Sequence, residues 1–244
     1  IVAQCEAAMA AAGLAYPVVA KPDMGCRGIG VQVVRDAADL ARYLGEFPAG
    51  RDLVLQTLID WEGEAGIYYV RDPDTERGEI FSMTLKYFPY VIGDGVSTLR
   101  ALITAEERAG QLSHIYLPRH RDRLDHVLAE GEPYRLAFAG SHSRGAIYRN
   151  GTPYVTEALR RRIDQIAHAM PGFHAGRFDV RFDDFAQLRA GERFKILEVN
   201  GTGSEAIEIW DARTGLGQAY RTLYRLPVVG MDDVLAPRDS PLFQ

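Results

Sequence analysis

The sequence predicts an α+β fold in two lobes. Three observations support this prediction. Short apolar stretches alternate with polar residues, amphipathic segments lie between them, and a polar connection at residues 60–63 separates a ββαβ pattern from a longer, strand-rich part. A chain of 244 residues is long enough for one large domain or two lobes. We place the small lobe at residues 1–63 and the large lobe at residues 64–244.

The small lobe is predicted to contain two helices and three strands. An Ala-rich helix ends at Gly13, because glycine is a common helix stop, and Asp36 is a suitable N-cap for the second helix. The predicted elements are a helix over 1–12, strands over 16–21 and 31–34 around a glycine-rich turn, a helix over 36–44, and a strand over 53–59.

The large lobe is predicted to be richer in strands. Thr152 and Pro153 favour the start of a long helix, since a hydroxyl residue caps a helix and proline suits its first turn. Residues 114–131 are rich in Arg and Asp, with weak periodicity, which predicts an excursion over the surface. The predicted elements are strands over 65–70, 79–87, 134–139, 146–149, 173–182 and 194–199, and helices over 97–109, 152–170 and 215–223.

Composition excludes several classes of protein. The chain has 28 Lys+Arg and 33 Asp+Glu, a formal charge of −5, so a general nucleic-acid binder is not expected. No apolar run approaches the roughly 20 residues of a membrane span. Two cysteines and the lack of a signal peptide favour a cytoplasmic protein. Because the sequence begins with Ile1 rather than Met, a fragment of a longer protein is one open alternative.

Lysine is rare in this chain. Only Lys21, Lys86 and Lys195 are lysine, and the other basic residues are arginine. Lysine is a slender point charge that reaches a phosphate where the broad guanidinium does not fit. Lys21 and Lys86 are therefore either functional cations or ordinary surface charges.

A lysine at the end of a predicted strand is followed by a glycine-rich turn. The stretch reads Lys21-Pro-Asp-Met-Gly25-Cys-Arg-Gly28-Ile-Gly30. Glycine permits close approach and positive φ values, so the turn offers a cation and several backbone N–H groups to a polyphosphate. It matches neither a Walker nor a Rossmann motif. The alternative is an ordinary hairpin turn, with Cys26 as a small spacer.

Two later strands carry carboxylates and an amide. Arg177, Asp179 and Arg181 share one face of a strand, and Glu198 and Asn200 share one face of the next. If these strands pair antiparallel, three oxygen donors meet beside an arginine, and such donors suit Mg²⁺. The alternative is a structural network of arginines and carboxylates.

In this order, the two groups of residues resemble the ATP-grasp superfamily of carboxylate–amine ligases. The resemblance extends from about Tyr16 to Leu223. Lys21-Pro22, Arg177-x-Asp179 and Glu198-x-Asn200 are similar to motifs of D-alanine–D-alanine ligases. The glycine spacing of the turn, residues 93–98 and residues 141–145 are closer to cyanophycin synthetases.

The resemblance implies an ATP-grasp fold, with two α+β lobes that hold ATP between them, and roles for individual residues. Lys21 would contact the α and β phosphates, and the 25–30 loop would close over the β and γ phosphates. Glu64 would bind the ribose, and Lys86 would face the terminal phosphate. The residues implied to bind the nucleotide are Lys21, Gly25, Arg27, Gly28, Gln56, Thr57, Leu58 and Glu64.

The same resemblance implies a reaction. Arg144 and Arg177 would steady the phosphoryl group in transfer, while Asp179, Glu198 and Asn200 would hold one or two Mg²⁺ ions, with Mn²⁺ as an alternative. A carboxylate would accept the γ-phosphate of ATP to form an acyl-phosphate, from which an amine would displace phosphate. The implied partners are a small-molecule carboxylate and an amine, and neither nucleic acid nor a membrane.

Several alternatives stay open. The segment after Asn200 differs from that of D-alanine ligases, so the substrates are not identified. Glu205, Glu208 and Asp211 either receive a cationic amine or cap a helix, and His142 is either a substrate contact or a turn residue. A phosphotransferase and a non-catalytic nucleotide-binding module are the alternative functions. A homo-oligomer and a missing N-terminal domain or subunit are open as partners.

Overall fold

The computed structural model describes residues 1–23, 28–72 and 74–234, with side chains through Arg225. The chain forms two compact units, Ile1–Asp60 and Trp61–Gln244. Both units combine helices with antiparallel sheets, so the predicted α+β class is confirmed. None of the helices in the described part of the chain is long and apolar enough to cross a membrane.

Unit 1 is a three-stranded antiparallel sheet covered by two helices. Its sheet has the order β2-β1-β3, and Leu40 and Tyr43 of the second helix pack against Val18 and Ala20. Asp36 accepts a hydrogen bond from the N–H of Asp39 at 2.8 Å, which confirms the predicted N-cap. The elements are α1 (Val2–Ala11), β1 (Val18–Pro22), β2 (Gln32–Val34), α2 (Ala37–Glu46) and β3 (Leu53–Thr57).

Unit 2 is built on a five-stranded antiparallel sheet of order β10-β9-β4-β5-β8, with a separate two-stranded sheet, β6-β7. Its elements are β4 (Gly63–Arg71), β5 (Gly78–Tyr87), β6 (Tyr90–Ile92), α3 (Leu99–Ala105), α4 (Glu107–Gln111), α5 (Ser113–Arg119), β7 (Pro133–Arg135), β8 (Ile147–Asn150), α6 (Glu157–His168), β9 (Ala175–Phe182), α7 (Phe185–Arg189), β10 (Phe194–Asn200) and α8 (Leu216–Val234).

The two faces of the five-stranded sheet differ in polarity. Because successive side chains of a strand point to opposite faces, the alternation of β4 places Ile67 and Tyr69 on one face and Glu64 on the other. The apolar face packs against α6 through Leu159 and Ile163. The opposite face, here called the charged face, carries buried polar side chains: Glu64, Ser82, Thr84, Lys86, Asp179 and Arg181.

Residues 90–137 form a small helical module with a core of its own. Tyr116, Leu124 and Leu128 are buried there, so the surface excursion predicted for residues 114–131 is wrong. The apolar residues of this stretch lie on short helices and turns among many Arg and Asp residues. No single helical or strand period relates them, so hydrophobic periodicity did not predict this module.

The helix predicted to begin at Thr152 begins five residues later. Residues 152–154 form a single 3₁₀ turn, and the Thr152 hydroxyl accepts the N–H of Met83 at 3.0 Å. Thr156 caps α6 instead, accepting the N–H of Leu159 at 3.2 Å. A hydroxyl used for contact with a neighbouring strand is not available as a cap.

Candidate functional site

Strand pairing brings distant residues together on the charged face. Asp179 of β9 is the register partner of Glu198 on β10, and Arg177 is the partner of Asn200. Glu64 of β4 is paired with Lys86 on one side and with Arg181 on the other. Register partners present their side chains on the same face, so these residues from four strands form one surface.

A β-bulge in β10 is needed for this arrangement. The register shifts by one residue between Ile196 and Glu198. Continued regular pairing would set Glu198 opposite Phe178, whose side chain lies in the apolar core. The extra residue instead brings Glu198 and Asn200 onto the face of Asp179 and Arg177. Bulges that redirect side chains in this way are common beside active sites.

Buried charges on this face are paired in a continuous network. The Lys86 Nζ lies 3.1 Å from Glu64 Oε1 and 2.9 Å from Asp179 Oδ1. Arg177 binds Asp179 through two parallel hydrogen bonds of 3.1 Å, from Nε to Oδ1 and from Nη2 to Oδ2. The Arg181 Nε lies 3.5 Å from Glu64 Oε2. Three cations thus surround the two buried carboxylates of this network.

These contacts determine the protonation states of the network. Burial alone would lower the pKa of Lys86, but the carboxylates of Asp179 and Glu64 outweigh it and raise the pKa above its ordinary value. Burial likewise opposes ionisation of Asp179, but Lys86 and Arg177 outweigh it and lower the pKa of that carboxyl. Lys86 and Asp179 are therefore both charged at neutral pH.

The predicted acid–acid–amide group is assembled, although Asp179 is already fully engaged. The Asn200 Nδ2 donates to Asp179 Oδ2 at 3.1 Å. With the bonds from Lys86 and Arg177, this fills the four lone-pair positions of the carboxylate. Glu198 is exposed beside it. The structure thus contains both the predicted trio and the structural network that was its alternative.

These residues fit a magnesium ion by the chemistry of their donors. No cluster of three or more His, Cys, Asp or Glu side chains suited to a metal occurs in the described ranges. Mg²⁺, however, needs only one or two carboxylates when phosphates and water supply the other ligands. Rotating the side-chain amide of Asn200 by half a turn would point its oxygen, rather than its nitrogen, towards Asp179. The hydrogen bond from Asn200 would then be lost, and one lone-pair position of the Asp179 carboxylate would become free. Asp179, Glu198 and Asn200 are then three oxygen donors.

Arg144 lies in a turn over residues 141–146, directly after Gly140. Tyr148, the register partner of Lys86, donates its hydroxyl to the carbonyl of Gly140 at 3.0 Å and accepts the N–H of His142 at 3.1 Å. A Cβ at position 140 would overlap with Glu64 Oε1 and lie 3.1 Å from Lys86 Cδ. The backbone that leads to Arg144 is therefore in contact with the charged face.

Gly140→Ala is expected to destabilise the protein by about 1–3 kcal/mol, because the methyl group enters the space of the Glu64 carboxylate. Urea unfolding measures this free energy. Gly203→Ala is the matched control, since its Cβ would meet nothing within 4 Å. Equal unfolding free energies for the two variants would show that the close approach at Gly140 is unimportant.

The three acidic residues after Asn200 differ in their surroundings. Asp211 accepts hydrogen bonds from Arg149, Arg213 and the N–H of Asn150, and the Arg213 guanidinium holds the pKa of that carboxyl below its ordinary value. Asp211 is thus a structural residue of this segment.

Glu205 and Glu208 occupy opposite environments. Glu205 is exposed and accepts the indole N–H of Trp210 at 3.2 Å. Glu208 is buried, and its Oε2 has no hydrogen-bond partner among the described residues. Burial raises the pKa of Glu208, against hydrogen bonds from Ser82 and Thr222.

Replacing Glu208 by Gln should remove a pH-dependent loss of stability. The pKa of Glu208 is higher in the folded than in the unfolded protein, so its protonated form favours folding. Stability contributed by this group is complete below the unfolded pKa and is lost as pH rises through the folded pKa. Unfolding free energies at pH 5 and pH 8 should therefore differ more in the unmodified protein than in Glu208→Gln. Exposed Glu205→Gln is the control, and an unchanged pH dependence in Glu208→Gln would contradict the assignment.

Sequence reasoning missed part of the site. Alternation along the strand groups Arg181 with Arg177 and Asp179 but indicates no role for it, and in the structure Arg181 pairs with Glu64. Tyr148 and Thr84 were not singled out. Thr84 is fully buried, and its Oγ1 lacks a partner among the described residues. The alternation of Ser82, Thr84 and Lys86 on β5 was the signal that identifies this face.

The nucleotide-binding residues predicted in unit 1 are only partly described. Gly25 and Arg27, with Cys26, lie outside the described residues. Gly28 has a φ of +69°, as its predicted place in a turn requires. Lys21 and Gln56 lie on the adjacent strands β1 and β3, and Thr57 ends β3, with Leu58 directly after it. Their assignment to ATP stays a prediction.

No protein-family model matches this sequence, and neither does any curated protein sequence. Several solved structures are similar to this chain. One is a bifunctional glutathione synthetase from Pasteurella multocida, with 19% identity and a TM-score of 0.43 over 91% of this chain and 32% of that chain. Another is pyruvate carboxylase from Rhizobium etli, with 16% identity and a TM-score of 0.42 over 96% of this chain and 16% of that chain. A third is the D-cycloserine synthetase DcsG, with 15% identity and a TM-score of 0.44 over 92% of this chain and 61% of that chain.

The chain spans less than two thirds of each of these proteins. With identities below 20% and TM-scores below 0.5, this similarity is weak. It carries no information on the reaction or the substrates.

Proposed function

We propose that the protein is an ATP- and Mg²⁺-dependent carboxylate–amine ligase that forms an amide through an acyl-phosphate. The observation that supports this proposal is the network of the charged face. Three buried or partly buried cations, Lys86, Arg177 and Arg181, are held in place by Glu64 and Asp179. Glu198 and Asn200 lie at the edge of the same network.

The proposed reaction requires positive charge where the phosphoryl group is transferred. A carboxylate and the γ-phosphate of ATP are both anions, and their approach is unfavourable unless cations surround them. Arg177 uses three of its five N–H groups on Asp179 and on the carbonyl of Glu205, which leaves two for an anion. Because two hydrogen bonds to Asp179 hold the guanidinium in place, Arg177 is already oriented before substrate binds.

Lys86 and Glu64 complete this arrangement. Two bonds from the Lys86 ammonium, to Glu64 and Asp179, leave its third N–H for a phosphate oxygen. Both oxygens of Glu64 are engaged by Lys86 and Arg181, so in this structure Glu64 holds the cations in place. The ribose-binding role implied by the resemblance stays a prediction.

Asp179, Glu198 and Asn200 would hold Mg²⁺, which when bound supplies further positive charge for the phosphate oxygens. The carboxylate oxygen of the acid substrate would attack the γ-phosphorus of ATP, and ADP would leave. The nitrogen lone pair of the amine would then attack the carbonyl carbon of the acyl-phosphate, so that a C–N bond forms as the C–O bond to phosphate breaks. The amine loses a proton, and inorganic phosphate is released.

A screen of acid and amine pairs tests the proposed function. The purified protein, Mg²⁺, ATP and each pair of compounds would be assayed for phosphate release, and the amide product would be identified by mass spectrometry. Amide that forms only when the amine is present supports a ligase. A phosphorylated product that persists without amine indicates a phosphotransferase, and ATP binding without ADP release across the whole panel indicates a nucleotide-binding module.

A further inference from the structure

The helical module, residues 90–137, contacts the turn that carries Arg144 through two side chains. The Tyr116 hydroxyl donates to the carbonyl of Arg144 at 2.7 Å. Arg108 donates to two further carbonyls, from Nε to Gly145 at 3.1 Å and from Nη2 to Ala146 at 3.4 Å. Tyr116 is fully buried in the core of the module. Three successive carbonyl groups of the turn are therefore bound by the module.

The N–H groups of residues 144–146 are bound within the turn, whereas the carbonyls of the same three residues are bound by the module. The N–H groups of Arg144 and Ala146 donate to the carbonyl of Ser141, and that of Gly145 donates to the carbonyl of His142. A buried carbonyl without a partner is costly, and the module supplies the missing donors. Gly145, at φ +90°, has no side chain to fill the position that the Tyr116 hydroxyl occupies.

The turn is attached to the module beside a second positive charge. Beyond the effect of burial, the Arg144 guanidinium lowers the pKa of Arg119, which lies on the same helix as Tyr116. Two like charges near each other repel, and the hydrogen bond from Tyr116 holds the backbone of Arg144 in spite of this repulsion.

We propose that Tyr116 and Arg108 are positioning residues, through which the helical module sets the placement of Arg144 for phosphoryl transfer. The proposal rests on the proposed function, in which Arg144 contacts the transferred group. The other end of the turn is held by Tyr148 and lies against Glu64 and Lys86. The turn is thus fixed between the charged face and the module, and the module determines how far Arg144 stands from the network.

A double-mutant cycle tests this proposal. Tyr116→Phe removes the hydroxyl and keeps the buried ring, and it should lower phosphate release about tenfold with the most active acid and amine pair, because reacting groups tolerate little displacement. In an Arg144→Gln background, the same change should lower the rate less than about twofold, since residues that act through one another are not additive. Arg108→Lys should show the same pattern, because lysine does not reproduce the paired guanidinium contacts.

Tyr134→Phe is the matched control. Its hydroxyl contacts His120 inside the module and does not reach the turn. A purely structural role for Tyr116 predicts equal rate losses for Tyr116→Phe with and without Arg144, or losses equal to those of Tyr134→Phe. Either result would overturn the proposal.

A spectroscopic measurement separates this proposal from the proposed function. His142 of the same turn stacks on Trp210, with ring centroids 6.1 Å apart and planes at 26°. The sequence has two tryptophans, so Trp61→Phe leaves Trp210 as the fluorescent reporter. If no pair of compounds releases phosphate, the proposed function fails. The fluorescence emission of Trp210 then tests by itself whether Tyr116 positions the turn. Both tyrosine variants are compared with the Trp61→Phe parent. A changed Trp210 emission in Tyr116→Phe, but not in Tyr134→Phe, supports positioning of the turn by Tyr116. Identical spectra for the parent and both variants refute the proposal.

Discussion

Glu198→Gln is expected to reduce ATP-dependent phosphate release by about a hundredfold or more, because it removes a negative charge from the magnesium-binding group while keeping the shape of the side chain. Glu198 is exposed, so the free energy of unfolding should change by less than about 0.5 kcal/mol. Phosphate release and urea unfolding, measured on the same preparation, distinguish a lost function from a lost fold.

Metal binding gives a second measurement for Glu198. Calorimetric titration of Mn²⁺ in the presence of a non-hydrolysable ATP analogue should show weaker binding to Glu198→Gln than to the unmodified protein. Glu192→Gln, an exposed change just before β10, serves as the control for lost negative charge. If Glu198→Gln matches Glu192→Gln in metal affinity and in phosphate release, Glu198 is not a metal ligand.

Local patterns in the sequence sufficed for the class of fold and for the position of most strands. Alternation placed Arg177 and Asp179 on one face, and Glu198 and Asn200 on one face of the next strand, as the register shows. The bulge that makes the two faces coincide was not predicted. It involves Leu197, an ordinary apolar residue, and results from the pairing of whole strands rather than from a local signal such as glycine.

Two other buried features were not predicted, the pairing of Glu64 with Lys86 and the core of the helical module. Glu64 and Lys86 were expected to face ligands, and the structure pairs them with each other. Pairing across two strands depends on the register of β4 and β5, which residue spacing alone leaves undetermined. The core of the helical module was missed for a related reason, because its short helices bury isolated apolar residues that follow no common period.

Lys86→Met should destabilise the protein by about 3 kcal/mol, because it removes one partner of a buried ion network. Asp179 and Glu64 would stay buried with less positive charge around them, although Arg177 and Arg181 still pair with them. Urea unfolding measures the loss. Lys195→Met is the matched control, since Lys195 is exposed, and its unfolding free energy should change by less than about 0.5 kcal/mol.

The cost of Lys86→Met should depend on pH in a defined direction. The folded-state pKa of Asp179 is lowered by Lys86 and Arg177 against the effect of burial, so its contribution to stability is present above the unfolded pKa and is lost as pH falls through the folded pKa. Without Lys86, that lowering is smaller, and Asp179 takes up a proton more readily. The difference in unfolding free energy between the two proteins should therefore be largest near pH 7 and should narrow towards pH 4. A difference that stays constant over this range would mean that Lys86 stabilises the fold by packing rather than by its charge.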